Sequence, residues 1–288
     1  MLRDSASQTS AVALEEIEDE QAAPVPAGPA SAQDRNVWKD TAPATRPDPP
    51  PTVATLGVRV SVVIPTLNEE KNLPHVFARL PDGLHEVIVV DGRSTDDTVA
   101  VARRLRPDVR VVLQPGRGKG NALAAGFAAC TGEVVVSMDA DGSTDPAEIP
   151  RFVAALCHGA DFVKGSRFAQ GGASSDITWT RRLGNRGLNA LVNALYGTSY
   201  TDLCYGFNAF WARCLPYMRV DCDGFEVETL VNVRIAKAGL VIHEVPSYER
   251  DRIHGTSNLN AVRDGTRVLR TIASERMSAW LPRRLKVT

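Results

Sequence analysis

From residue 59 onward, short β-branched apolar runs alternate with stretches of helical spacing, and this alternation restricts the fold more than any other feature. Residues 60–64 form a buried-strand pattern closed by Pro65. A helix is predicted over 69–80, a second strand over 86–90, and a helix over 96–105 with Asp96 and Asp97 placed to cap its start. A third strand (109–113), a third helix (119–129) and a fourth strand (133–138) follow. Strands that are apolar throughout and separated by helices imply an α/β fold, with a mainly parallel sheet covered on both faces. Ligands of such sheets bind outside the carboxyl ends of the strands.

Residues 1–57 differ in kind. They hold Glu15-Glu16, Glu18-Asp19-Glu20, a Pro/Ala-rich run and Pro49-Pro50-Pro51, with too little apolar surface to offset the entropy of ordering. We expect a disordered tail over 1–57, a catalytic domain over 58–258, and a basic amphipathic helix over 259–288. In that last segment Val262, Leu269, Ile272 and Leu281 share the chain with Arg263, Arg267, Arg270, Arg276, Arg283, Arg284 and Lys286. Such a helix either lies peripherally on an anionic membrane or packs on the domain with solvated arginines.

A net charge of −1 gives no global electrostatic reason to bind nucleic acid. The five cysteines show no zinc-type spacing, which points to a reducing compartment and buried thiols. No secretory signal pattern opens the chain, and no stretch approaches the roughly 18–20 apolar residues of a membrane span. The expectation is a cytoplasmic protein, at most peripheral on the membrane.

The polar residues cluster where the fold predicts a site. The fourth strand runs into Asp139-Ala140-Asp141-Gly142-Ser143, two carboxylates that can reach one hard cation such as Mg²⁺ or Mn²⁺. A polar turn is the competing reading, because Asp and Gly are common turn residues. Asp91 ends the second strand and suits a nucleoside, or caps its own loop. Gly116-Arg117-Gly118-Lys119-Gly120 precedes the third helix, where backbone amides and Lys119 can face an anion, or where the glycines make a flexible turn. His243, in an apolar run, reads as a strand residue, and His254 carries little weight. Trp179, Trp211 and Trp280 read as packing residues.

The runs Val62-Val63-Ile64-Pro65-Thr66-Leu67-Asn68-Glu69-Glu70, Val89-Val90-Asp91-Gly92-Arg93-Ser94, Gly118-Lys119-Gly120 and Asp139-Ala140-Asp141 resemble, in order and spacing, the family 2 inverting glycosyltransferases of GT-A fold. Lys164-Gly165-Ser166-Arg167, Arg181-Arg182-Leu183-Gly184-Asn185, Thr201-Asp202, Gly224-Phe225-Glu226-Val227-Glu228 and Arg252-Ile253-His254-Gly255-Thr256-Ser257 are similar to the polyprenol (dolichol) phosphate mannosyltransferase branch. The resemblance implies that Pro65, Asn68, Glu69, Asp91, Lys119, Asp139 and Ala140 bind a nucleotide-sugar donor. It implies that Asp139 and Asp141 hold Mg²⁺ or Mn²⁺, and that Arg167, Arg181, Asn185, Arg252 and Ser257 face the acceptor. Ser143 stands where the branch has its third metal ligand, usually Gln, and Asn185 stands where it tends to have Ser.

The expected reaction moves a hexose from GDP-mannose or a UDP-hexose, with inversion, to a lipid phosphate of polyprenyl type. An ionised phosphate oxygen attacks without a base, whereas a saccharide or natural-product hydroxyl needs one, with Asp223, Glu226 and Glu228 as candidates. A nucleotidyltransferase would carry its Gly/Lys signature right after the first strand, where this chain has Pro65-Thr66-Leu67-Asn68. A non-catalytic nucleotide-sugar-binding module would show no metal-dependent release of nucleoside diphosphate.

Overall fold

The structure, a computed structural model, describes residues 52–256 and 261–278. Most of the expected tail lies outside the described residues, as do Ser257, Trp280 and the basic residues after position 280. The tail expectation reached too far at its carboxyl end. Thr52 caps a 3-10 turn at Val53–Leu56, and Val53 is buried in the core, where its contacts hold the segment in place.

Nine strands and eight helices are named here in chain order: β1 (Val60–Thr66), α1 (Leu73–Phe77), β2 (Glu86–Asp91), α2 (Thr98–Leu105), β3 (Arg110–Leu113), α3 (Gly118–Ala129), β4 (Val134–Ser137), α4 (Ile149–Cys157), β5 (Phe162–Ser166), β6 (Ala173–Ser174), α5 (Trp179–Tyr196), β7 (Asn208–Trp211), α6 (Leu215–Met218), α7 (Val227–Lys237), β8 (Ile242–Pro246), β9 (Tyr248–Glu249) and α8 (Ala261–Met277). Seven strands form one sheet in the order β3-β2-β1-β4-β7-β5-β8, in which β7 alone runs against its neighbours. β6 and β9 form a short parallel ladder of their own.

The period-2 pattern of the strands divides the core. Val62, Ile64, Val87, Val89, Val134 and Val136 face one side, against Leu73 and Val76 of α1, Val101 of α2 and Phe152 of α4. Val63, Ile88, Val90, Val135, Phe162 and Phe210 face the other, against Phe127 of α3 and Val231 and Ile235 of α7. Each such side chain contributes about 1.5–3 kcal/mol through its removal from water.

Two boundaries differ from the sequence reading for reasons that proline supplies. Pro65 does not end β1, which continues to Thr66. Thr66 accepts a hydrogen bond from the Gly92 amide on the β2 side and Val63 accepts one from Met138 on the β4 side, so Pro65 faces the β4 side, where the ladder has already ended at Val63. No N–H is required of it there. Helix α1 is shorter than predicted because Pro74 belongs in a first turn and bars regular helix before it. At α2 it is Asp96, not Asp97, whose carboxylate accepts from the Thr98 amide.

The carboxyl-terminal helix packs on the domain. Val268 and Ile272 of α8 are buried against Val192 of α5, Tyr200, Leu203 and Val233 of α7. That apolar side is therefore covered by protein and cannot itself lie on a bilayer. Among the described residues no helix is long and apolar enough to cross a membrane. Trp211 packs as predicted, its indole donating to the Ala160 carbonyl at 3.1 Å, whereas Trp179 at the start of α5 is 74% exposed. His243 lies on β8, as the apolar run suggested. All five cysteines are free, but Cys157 and Cys204 are exposed, so the thiols are less buried than composition implied.

Glu86 joins three segments from its buried position at the start of β2. It accepts from the Ser61 hydroxyl at 2.7 Å, the Thr131 amide at 2.7 Å and the Arg110 guanidinium at 2.6 Å. Burial alone would raise its pKa, but these hydrogen bonds outweigh it and bring the value down to about 2. A folded-state pKa below the ordinary value stabilises the fold at higher pH. That contribution should begin to fall away below about pH 4.5 and be gone near pH 2. Urea melts of the unaltered chain and Glu86→Gln should converge over that interval. A constant stability gap between them would contradict the assignment.

Candidate active site

The strand ends open onto a cavity of about 1320 Å³. Pro65 lines it at the end of β1 and Glu69 after it, Gly92 and Arg93 after β2, Lys119 at the start of α3, and Asp139, Ala140, Asp141 and Ser143 after β4. Helices α5 and α8 also line it. A single ligand usually occupies about 300–1,000 Å³, so this volume suits two substrates side by side.

Each aspartate of the pair meets a cation. The Lys119 ammonium lies 2.6 Å from Asp139 and 3.0 Å from Glu228 on α7. Burial would push the lysine pKa down, but the pull of the two carboxylates prevails and raises it, so the ammonium stays charged. Arg252 donates to Asp141 at 2.9 Å and to Glu69 at 3.3 Å. Burial raises the pKa of Glu69 against hydrogen bonds from Asn72 and Arg252. Ser143 meets Asp141 through its backbone amide, 3.0 Å from Oδ1.

The glycines in the first turn of α3 serve a close backbone approach. A Cβ on Gly118 would fall 2.0 Å from the Asp223 carbonyl oxygen, and one on Gly120 would fall 2.2 Å from that of Cys222. The Gly120 amide donates to the Asp223 carbonyl at 3.0 Å, so this amide is taken up inside the protein. The loop is thus clamped to the segment before α7, and the clamp sets Lys119 between Asp139 and Glu228.

Other predicted residues hold the walls of the site. Asp91 is buried and accepts from the Arg93 and Ser94 amides, capping its own turn. Asn68, with φ of 58°, accepts from the Thr95 amide at 2.8 Å and ties the loop after β1 to the loop after β2. Arg167 is buried at the end of β5, its Nε and Nη2 on Asp202 and its Nη1 on Glu249. Asp202 is therefore the partner of a buried arginine. Arg181 lines the cavity and pairs with Asp176 at 3.0 Å. Asn185 is buried in the cavity wall, its amide nitrogen on Asp202 and its Oδ1 unpaired. His254 is anchored through its backbone to Asn72, with its ring 5.8 Å from that of His75.

Glu249 escaped the sequence reading because nothing in Tyr248-Glu249-Arg250 distinguishes it from a solvated polar run. Its role depends on β9 lying beside β6. Gln114, whose amide holds the Gly118 carbonyl at 2.7 Å, was missed for the same reason. Among the described residues no group of three or more His, Cys, Asp or Glu is placed to hold a metal. Two carboxylates are nonetheless a sufficient protein share for Mg²⁺, which keeps waters and substrate phosphates as its remaining ligands.

A mainly parallel sheet with one reversed strand, paired aspartates at a central strand end and a two-substrate cavity define the GT-A class of glycosyltransferases. The pattern of glycosyl transferase family 2 matches residues 61–215, and the chain belongs to that family. An uncharacterized glycosyltransferase of Mycobacterium tuberculosis is 44% identical over 205 residues, covering 71% of this chain and 91% of that protein. The polyprenol monophosphomannose synthase of Mycolicibacterium smegmatis is 34% identical over 215 residues, covering 70% and 81%. Among solved structures, glucosyl-3-phosphoglycerate synthase from Mycobacterium tuberculosis, in complex with Mn²⁺, UDP and glucosyl-3-phosphoglycerate, matches with a TM-score of 0.63 at 27% identity, covering 80% of this chain and 86% of that one.

Removing one partner of a buried ion pair leaves the others uncompensated, at a cost of about 3–5 kcal/mol. Lys119→Met should lower stability by about that amount, and adding Glu228→Gln should restore most of it. Denaturant midpoints of the single and double variants measure this. A double variant no better than the single would show that Lys119 and Glu228 are not coupled.

Proposed function

We propose that this glycosyltransferase moves a hexose, with inversion, from a nucleoside-diphosphate sugar to a phosphate-bearing acceptor of polyprenyl type. The observation that carries the reading is a cavity lined by charged and apolar side chains together. Asp139, Asp141, Lys119, Arg181 and Arg252 line it, and so do Ile177, Leu188, Leu191, Val268 and Leu269. Charge and hydrocarbon in one cavity suit a phosphate on a long apolar chain. The similarity to a polyprenol monophosphomannose synthase supports the same acceptor.

In the proposed step an acceptor phosphate oxygen attacks the anomeric carbon as the bond from that carbon to the diphosphate breaks. The bonding pair leaves with the nucleoside diphosphate, and the configuration inverts. Asp139 and Asp141 would hold Mg²⁺ or Mn²⁺, which when bound offsets the charge developing on the diphosphate. Lys119, kept charged by its two carboxylates, adds positive potential beside the same group. Arg181, half-buried in the cavity wall, is the forked donor for the acceptor phosphate. Arg167 orders this wall from behind through Asp202 and Asn185.

A second reading, transfer to a hydroxyl, draws on the unpaired buried Asn185 Oδ1, which accepts a hydrogen bond from a hydroxyl but repels an ionised phosphate. It also draws on the likeness to a structure containing glucosyl-3-phosphoglycerate. Of the candidate bases Asp223, Glu226 and Glu228, Glu228 is the one that lines the cavity, where Lys119 engages it.

GDP-mannose and UDP-hexoses should be screened for Mn²⁺-dependent turnover with polyprenyl phosphate, 3-phosphoglycerate or no acceptor. Polyprenyl phosphate should accelerate release of the nucleoside diphosphate, and Asp141→Ala should reduce turnover at least 100-fold (about 2.7 kcal/mol). Acceleration by 3-phosphoglycerate alone would favour the second reading. Undiminished turnover by Asp141→Ala would remove both.

A further inference from the structure

Helices α5 and α8, which line the cavity, also present a second side to solvent. On α5, Trp179 is 74% exposed, Leu183 59% and Leu191 37%, and on α8 Leu269 is 50% exposed. Positions 183, 187, 190, 191 and 194 recur at helical spacing, all exposed and all Leu, Gly or Ala, so the outer face of α5 carries an apolar stripe in water. Arginines flank it: Arg182 and Arg186 on α5, and Arg267, Arg270 and Arg276 on α8, are exposed.

The charge balance of this face is one-sided. Helix α5, Trp179–Tyr196, contains no acidic residue. The acidic residues on the described part of α8, Asp264 and Glu275, are buried and paired, Asp264 with Arg263 and Arg267, and Glu275 with Arg234 and Lys237. The two helices therefore show solvent only positive charge, beside Asp176, which pairs with Arg181 just ahead of α5. The whole chain has a net charge of −1, so this patch stands apart from the rest of the molecule. Leu191 and Leu269 are at once exposed and part of the cavity lining, so the patch adjoins the cavity.

We propose that the outer face of α5, with the adjoining edge of α8, docks on the surface of an anionic lipid bilayer. Arginines bind the headgroups, Trp179, Leu183, Leu191 and Leu269 enter the boundary beneath them, and the cavity opens toward lipid. A nucleic acid would match the arginines but would leave the apolar stripe uncovered. The surface used differs from the side of α8 that its sequence offered, since Val268 and Ile272 are turned into the domain.

The test is sedimentation of the full chain, without donor or acceptor, with vesicles of phosphatidylcholine alone or mixed equally with phosphatidylglycerol. The chain should pellet with the anionic vesicles, less so at high salt, and not with the neutral ones. One arginine near an anionic surface contributes about 1 kcal/mol, so Arg186→Glu, a change of two charges, should weaken partitioning about 30-fold. Leu183→Glu should weaken it comparably, while Arg103→Glu on the exposed side of α2 should leave it unchanged. Leu183 and Arg186 are exposed, and unchanged thermal melts would show that the variants fold. Failure of the full chain to pellet, equal partitioning of Arg186→Glu and Arg103→Glu, or binding to duplex DNA in preference to vesicles would each overturn the proposal. Because no substrate is present, failure to pellet leaves the transfer reading intact, and absence of turnover in a chain that pellets counts against that reading alone.

Discussion

The ammonium of Lys119 is the point on which the site depends. It lies between Asp139 after β4 and Glu228 on α7, so it joins the start of α3 to the end of β4 and to α7. Three charges in a half-closed space hold one another in place only if all three are present, because each would be costly without its partners. The glycine clamp against Asp223 and Cys222 brings α3 close enough for the bridge to form. Arg252 performs the corresponding service for Asp141 and Glu69 from the opposite side. The paired aspartates are thereby oriented by fixed cations, with the Ser143 amide also holding Asp141 within its own turn.

Arg167 illustrates how burial changes the meaning of a charged residue. In the sequence it is a basic residue after a strand, suited to a phosphate. In the fold its guanidinium is 5% exposed as a residue and lies between Asp202 and Glu249. Burial alone would lower its pKa, but hydrogen bonds and attraction from these carboxylates raise it, so it remains a permanent cation with its own counter-ions. A buried arginine paired in this way joins β5, the loop before β7, and β9. Positive charge that a substrate can reach is left to other cations lining the cavity, among them Arg93, Arg117, Lys119, Arg181 and Arg252.

Much of the architecture was legible because a parallel sheet needs strands that are apolar on both faces. Residues 60–64, 86–90 and 133–138 could hardly be anything else, and a helix between each pair follows from the parallel direction. The errors lie where one residue overrides a pattern. Pro74 shortened α1, and Pro65 was tolerated inside β1 because the neighbouring ladder had ended. Trp179 reads as a packing residue, yet at the first position of α5 it is 74% exposed.

The sequence by itself determined the α/β class, the order of the first four strands and the carboxylates that follow the fourth. These are local matters, set by periodicity and by where polar residues interrupt apolar runs. Only the tertiary structure decided which cation meets which aspartate. Lys119 and Glu228, or Arg167 and Glu249, are far apart in the chain and become partners through the packing of helices and the pairing of β6 with β9. It decided as well which side of α8 is covered and which side of α5 is left in water, since amphipathicity shows that a helix has two faces but not what lies against each.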